Sequence, residues 1–336
     1  MKKKIAIFYG TRPEYLKLQN IIKLIPKSKR DVIFIGQHDK LIHKNYFTKK
    51  IDLKKTKNKS RLNSIFSQIL SKLKLDKYEY VLIQGDTATT LGVALAAFNS
   101  KKKIIYVESG LRTFDLQNPF PEEGYRQIIS RISDIHLCPT NAAKENLLSE
   151  KIKGKILVTG NTGLDNLLEY KKKINYSNFV LITLHRRENL SLIPKWFLEI
   201  NKIAKKYKEL RFIFPLHENS EIKKHKKILT NIEILNNLPH EQLMKIFIKS
   251  KFIITDSGGI QEEASFLKKK VIVCRKFTER AEGIKSGHLF LCKNPKSLSS
   301  LVKKINKNYK INKKSPFGDG KSSKRIVEFL SNQKIL

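Results

Sequence analysis

Short apolar runs alternate with helix-length polar or amphipathic stretches along the whole chain, and this alternation restricts the fold more than any other feature. The runs fall at residues 4–9, 32–36, 80–84, 104–108, 135–139 and 156–159; a second series then starts afresh with 179–184, 211–216, 232–235, 252–255, 271–274 and 289–292. Continuous apolar strands separated by room for a crossover helix are what a parallel sheet covered on both faces requires. Between the two series, residues 169–178 are polar and short of core residues, which marks a linker. The expected fold class is α/β, with two doubly wound Rossmann-like domains: an N-terminal domain over 1–168 and a C-terminal one over 179–315. In the remaining segment, 316–336, Ile326, Val327, Phe329 and Leu330 have helical spacing. The 336 residues, 40% of them hydrophobic, can supply a core for each domain. Ligands of such sheets sit outside the carboxyl ends of the strands, so the active site is expected in the interdomain cleft.

Nearly every polar cluster in the chain falls just after one of these runs. Thr255-Asp256-Ser257-Gly258-Gly259 ends the run at 252–255 and precedes a helix-compatible segment. Such a turn points bare backbone N–H groups outward, lets the chain approach an anion closely, and adds a Ser hydroxyl and the positive end of a helix dipole. A Gly-Gly turn can also be a tight connection and nothing more. Here, however, Gly10-Thr11-Arg12-Pro13-Glu14 follows the first run in the same way. Gln84-Gly85-Asp86-Thr87, Glu108-Ser109-Gly110-Leu111-Arg112, His185-Arg186-Arg187-Glu188-Asn189 and His217 close further runs. A shared site explains this placement better than solvation does.

The charge of +38 would ordinarily direct attention to nucleic acid or an anionic membrane. The excess is mostly Lys scattered through helix-like segments rich in Ile and Asn, with no interleaved aromatic signature or defensible helix-turn-helix, so solvated faces explain it and nucleic acid is not expected as a partner. A positive field would still attract a nucleotide-sugar dianion. The apolar run after Met1 reaches Gly10-Thr11-Arg12 too soon for a signal peptide and reads as a buried strand, and no segment approaches a membrane span. Cys138, Cys274 and Cys292 are odd in number and far apart, which suits buried thiols in a reducing cytoplasm and indicates neither a metal site nor a disulfide framework.

Arg12, Lys17, the Ser257–Gly259 turn, Arg280 and Lys321 can replace the hydration shell of a diphosphate, and Glu263 can reach a sugar hydroxyl. Asp86, Glu108, Glu122, Glu123 and His185 can move protons, more than a simple glycosyl transfer needs. Each acid has another reading: Asp86 could cap the next helix, and Glu122 and Glu123 could be first-turn acids facing a helix dipole. His185, beside two arginines, is awkward as a core histidine. His38, His43, His136, His225 and His288 are read as structural.

Taken together, these motifs, with Gly36-Gln37-His38, Pro121-Glu122-Glu123, Arg126, Thr159-Gly160-Asn161-Thr162, Thr278-Glu279-Arg280 and Gly318-Asp319-Gly320, resemble the non-hydrolysing UDP-N-acetylglucosamine 2-epimerases nearly end to end. The resemblance implies a glycosyltransferase-B type fold whose last helix packs back on the first domain, a homodimer, no cofactor, and a place in polysaccharide biosynthesis. It also implies elimination of UDP to a 2-acetamidoglucal followed by re-addition with inversion at C2. By that resemblance Asp86, Glu108, Glu122 and His185 are catalytic; Arg12, Lys17, Arg126, Ser257, Gly258, Gly259, Glu263 and Arg280 bind substrate. Ser109, Gly124-Tyr125, Ala281 and the His240–Leu243 region depart from the family pattern, and Gln37 and His217 fall at an allosteric site that some members carry. Related activities left open are epimerisation of UDP-2,3-diacetamido uronic acids, hydrolytic release of the free sugar, and glycosyl transfer.

Overall fold

A computed structural model describes residues 4–36, 47–54, 61–216, 219–236, 238 and 240–336. Gln37, His38, His43 and His217 lie outside the described residues, as do the side chains of Arg187 and His240. The chain divides into two compact units, Met1–Asn166 with Gly318–Leu336, and Leu167–Phe317.

The first unit is built on β1 (Lys4–Tyr9), β2 (Arg30–Gly36), β3 (Lys49–Asp52), β4 (Tyr78–Gln84), β5 (Lys103–Val107), β6 (Ile135–Cys138) and β7 (Lys155–Val158). The sheet order is β3-β2-β1-β4-β5-β6-β7, all parallel, so the winding reverses between β1 and β4. β3 was not foreseen. Its sequence Lys-Lys-Ile-Asp offers one apolar residue and lies mostly exposed at the sheet edge, where charge rather than an apolar run is the useful chemistry. One face of the sheet is covered by helices Arg61–Lys72, Ala88–Asn99 and Glu122–Ile132, around a core of Phe8, Ile69, Leu91 and Ile129. The other face is covered by helix Arg12–Leu24 and, from the far end of the sequence, helix Ser322–Asn332, whose Ile326 and Leu330 join Ile5, Ile7 and Leu18. Lys321 leaves the N-terminus of that last helix without a side-chain cap. Asp165 supplies one instead, accepting from the backbone N–H groups of Ser322 (3.0 Å) and Ser323 (2.6 Å).

The second unit repeats the scheme with β8 (Phe179–Thr183), β9 (Arg211–Pro215), β10 (Glu233–Leu235), β11 (Ser250–Thr255), β12 (Val271–Val273) and β13 (Leu289–Leu291). Its parallel order is β10-β9-β8-β11-β12-β13, with the reversal between β8 and β11. Trp196, Phe197, Phe214 and Phe252 fill the larger face. The polar stretch before β8 is packed onto this unit: Asn175 N donates to Ile248 O (3.1 Å), Ser177 N to Lys249 O (2.8 Å), and the Tyr176 ring meets Tyr309 edge-on at 5.1 Å. Thus both expected doubly wound sheets are present, and each has a crevice-forming reversal at its carboxyl rim.

Candidate active site

At the first reversal, the turn after β1 enters helix Arg12–Leu24 through a capping box: Thr11 Oγ1 accepts from Glu14 N while the Glu14 carboxylate accepts from Thr11 N at 2.9 Å. Glu14 is 3% exposed and does more than cap. One carboxylate oxygen also accepts from Gly10 N (2.6 Å), and the other accepts from the hydroxyls of Thr87 (2.5 Å) and Thr90 (3.0 Å). It therefore ties the turn after β1 to the turn after β4. Burial pushes the Glu14 carboxyl above the ordinary range, and these four donors oppose the shift. A side chain at Gly10 would run into Thr89, so the turn closes only around glycine.

In the turn after β4, Thr87 and not Asp86 caps the next helix, its Oγ1 accepting from Thr90 N at 3.2 Å. Asp86 is turned to another purpose. Its carboxylate accepts from Arg126 Nε at 2.8 Å, and Arg126 Nη1 in turn reaches Glu123 at 3.2 Å. After β5, Glu108 adopts a left-handed backbone (φ 67°), and its carboxylate accepts from Lys17 Nζ and from Gln84 Nε2. The Tyr106 phenol beneath these groups donates to Gly85 O (3.0 Å); burial, and then the charge of Asp86, hold its pKa far above the ordinary value.

The neighbouring acids Glu122 and Glu123 separate cleanly. Glu123 is fully buried and accepts from Thr113 N (3.1 Å), Phe114 N (3.3 Å) and Gln127 Nε2 (3.0 Å), so it braces the preceding loop. Glu122 is half-buried on the first turn of its helix and enters none of these bonds. Arg112 forms a two-pronged pair with Glu150 at 2.6 and 3.1 Å, which is structural. Arg12 is exposed at the first position of its helix, available to an anion outside the sheet.

At the second reversal, Asp256 is fully buried just after β11. Its carboxylate accepts from the backbone N–H of His185 (3.1 Å to each oxygen) and of Arg186 (2.9 Å), and from Asn189 Nδ2 (3.0 Å). His185 thereby sits at the carboxyl rim with its side chain 32% exposed. Ser257 is the N-cap of helix Gly258–Phe266 but makes no side-chain cap bond, so the N–H groups of Gly258 and Gly259 face outward. Arg280 is held beside them: its Nε donates to Glu262 at 2.7 Å, its Nη1 pairs with Glu279 at 2.6 Å, and a Cβ on Gly258 would come within 2.8 Å of its guanidinium. Glu279 also pairs with Arg275 (3.2 Å), which reaches Glu188 (2.7 Å). Glu263 lies on the second turn of the same helix, half-buried.

Each unit thus gathers its own set: Lys17, Asp86, Glu108, Arg126 and Glu122 on the first, His185, Ser257, Gly258, Gly259, Glu263 and Arg280 on the second. Lys17 and Arg126, read from sequence as substrate contacts, are paired here with Glu108 and Asp86. Lys321 is exposed before the last helix and forms no part of either set. Glu123, read from sequence among the proton-moving acids or as a first-turn acid, is instead a brace, because burial and its three donors occupy its carboxylate; Glu14 and Asp256 were not singled out by sequence reasoning, although Thr11-x-x-Glu14 is a legible capping box. His136 and His288 are buried, each bound by a serine through Nδ1 (Ser109, 3.0 Å; Ser286, 2.8 Å), and burial lowers the His288 pKa to about 4. Among the described residues no group of three His, Cys, Asp or Glu is clustered to hold a metal, and no helix is long and apolar enough to cross a membrane.

The family model for UDP-N-acetylglucosamine 2-epimerase matches residues 23–331. The chain is 36% identical to the UDP-N-acetylglucosamine 2-epimerase of Campylobacter jejuni, over 98% of each chain, and 34% identical to that of Salmonella borreze, over 97% of each. The crystal structure of UDP-GlcNAc 2-epimerase from Neisseria meningitidis bound to UDP-GlcNAc superimposes with a TM-score of 0.85 at 32% identity, covering 98% of this chain and all of that one (100%).

Proposed function

Because the chain belongs to the UDP-N-acetylglucosamine 2-epimerase family, we propose that it interconverts UDP-GlcNAc and UDP-ManNAc. The first unit offers acid–base groups and the second an anion-binding turn, the two kinds of group that a UDP-sugar epimerase needs. A base takes the proton from C2 as the C1–oxygen bond breaks, and UDP departs with the electron pair, leaving a 2-acetamidoglucal. UDP then re-adds at C1 while a proton is delivered to the opposite face of C2. No electrons are gained or lost, so the inversion needs no redox partner.

The single observation that carries this reading is the paired carboxylates at the first rim. Glu108 is set between Lys17 and Gln84, and Asp86 against Arg126, so that each charge is positioned without being shielded on all sides. Acid–base work requires this kind of fixed, partnered group. Glu122 and His185 complete the proton-moving set. Arg12, Arg280 and the Ser257–Gly259 turn meet the diphosphate, where charge accumulates as UDP leaves, and so stabilise the transition state more than the bound substrate. Glu263, on the helix behind the turn, is assigned to the ribose; its half-buried place on that helix supports this. The reading extends to a cytoplasmic homodimer serving polysaccharide synthesis; the three thiols are free and buried, which suits a reducing compartment.

Incubation with UDP-GlcNAc in deuterated water tests it. UDP-ManNAc carrying deuterium at C2 is the expected product, detected by mass spectrometry and NMR. Release of free ManNAc with UDP would point to a hydrolysing enzyme, and unlabelled, unchanged substrate would reject the proposal.

A further inference from the structure

We propose that Asp256 is the positioning residue for His185; the inference rests on the reading that His185 moves a proton in the reaction above. The residue divides its work between backbone and side chain. Through its backbone it belongs to the strand and the anion turn: its N–H donates to Thr183 O at 3.2 Å, and the following Ser257 N donates to Thr255 Oγ1 at 3.0 Å. Its side chain takes no part in the turn. Both oxygens are directed to the neighbouring loop, where they hold His185 N, Arg186 N and Asn189 Nδ2, and Asn189 is itself fixed by donating to Cys274 O at 2.8 Å.

Only a carboxylate suits this place. Every group facing it through these bonds is a donor, and an ionised Asp is acceptor-only, whereas an Asn would turn an NH2 toward an N–H. The imidazole Nδ1 lies 3.9 Å from Oδ1, beyond hydrogen-bond distance, so Asp256 acts on the ring by setting the backbone from which it projects. A charge buried at 0% exposure is costly unless it is bonded on all sides, and here the bonds go to the loop that carries His185 rather than to packing elsewhere.

A double-mutant cycle tests the assignment with His185→Gln, Asp256→Asn and the double variant, reading the rate of deuterium incorporation at C2 and UDP affinity by calorimetry. Asp256→Asn should lower the exchange rate on the order of 100-fold, the scale of a misplaced catalytic group, and leave UDP affinity largely unchanged. The double variant should be no slower than His185→Gln alone. Losses that multiply, or a fall in UDP affinity that matches the fall in rate, would overturn the inference and assign Asp256 to the fold alone. A His185→Gln enzyme with undiminished exchange would instead remove the role of His185 on which it depends. If Asp256→Asn does not fold, Asn189→Ala, which deletes one donor to the same carboxylate, is carried through the same cycle with the same non-additivity expected.

Discussion

Glu14 and Lys269 are the two buried ionisable side chains whose surroundings make the sharpest claims about single residues. Four donors converge on Glu14, from two turns more than seventy residues apart. Removing the carboxylate leaves those donors without an acceptor in a closed site, so Glu14→Ala should cost about 3 kcal/mol and be read as a lowered midpoint in chemical denaturation. Lys269 is fully buried; its ammonium donates to Asn175 O at 2.5 Å and lies 3.8 Å from the centre of the Tyr176 ring. Burial nonetheless pushes its pKa from 10.5 down to about 7. Between those two values the unfolded chain holds a proton that the folded chain does not. Stability should therefore rise with pH across that window, and Lys269→Met should flatten the rise when unfolding free energy is measured at each pH. At this scale the sequence was partly readable. Asp86, Glu108 and His185 stood out because polar groups following apolar runs are conspicuous. Glu14 and Asp256 did not stand out as braces, because their partners Thr87, Thr90, His185 and Asn189 come from distant parts of the chain and only folding brings them into line.

Among elements, helix Gly258–Phe266 is the one whose terminus bears most directly on ligand binding. Its first turn is open because Ser257 leaves it uncapped and because Gly258 admits the Arg280 guanidinium at close range. Gly258→Ala should push Arg280 away from the turn and strain its buried pairs with Glu262 and Glu279. UDP affinity should fall about tenfold, one lost charge-assisted contact, and the melting temperature should fall as well. Undiminished UDP affinity in this variant would argue against this reading. Strand positions were largely legible from the apolar runs, since doubly wound sheets bury strands on both faces and so write them as continuous hydrophobic segments. β3 escaped because Lys49, Lys50 and Asp52 leave Ile51 as its one apolar residue, whereas the edge strands β7, β10 and β13 keep an apolar run; those charges keep the β3 edge from pairing elsewhere.

For the whole molecule, the charge of +38 should be felt in encounter rather than in fold. A nucleotide diphosphate approaching so positive a chain is drawn in over roughly a Debye length, about 10 Å at 0.1 M salt. Stopped-flow measurements should show association of UDP slowing several-fold as salt is raised, with dissociation changing less; a salt-independent association rate would show that the surplus lysines play no part in capture. The duplicated sheet architecture was readable because length, composition and the restarted strand series all agree. The allegiance of residues 318–336 was legible only through the family resemblance, which implies that the last helix packs back on the first domain; Ile326 and Leu330 by themselves announce a helix without naming the sheet it covers.

That allegiance has a consequence for how the chain is made. The first unit takes its closing helix from residues that follow the other unit in the chain, so that lobe is completed only after the whole of 167–317 has been synthesised. Until then the apolar seat beside Ile5, Ile7 and Leu18 stays open on the nascent chain, and a message cut short after Phe317 would yield a product with that seat permanently vacant.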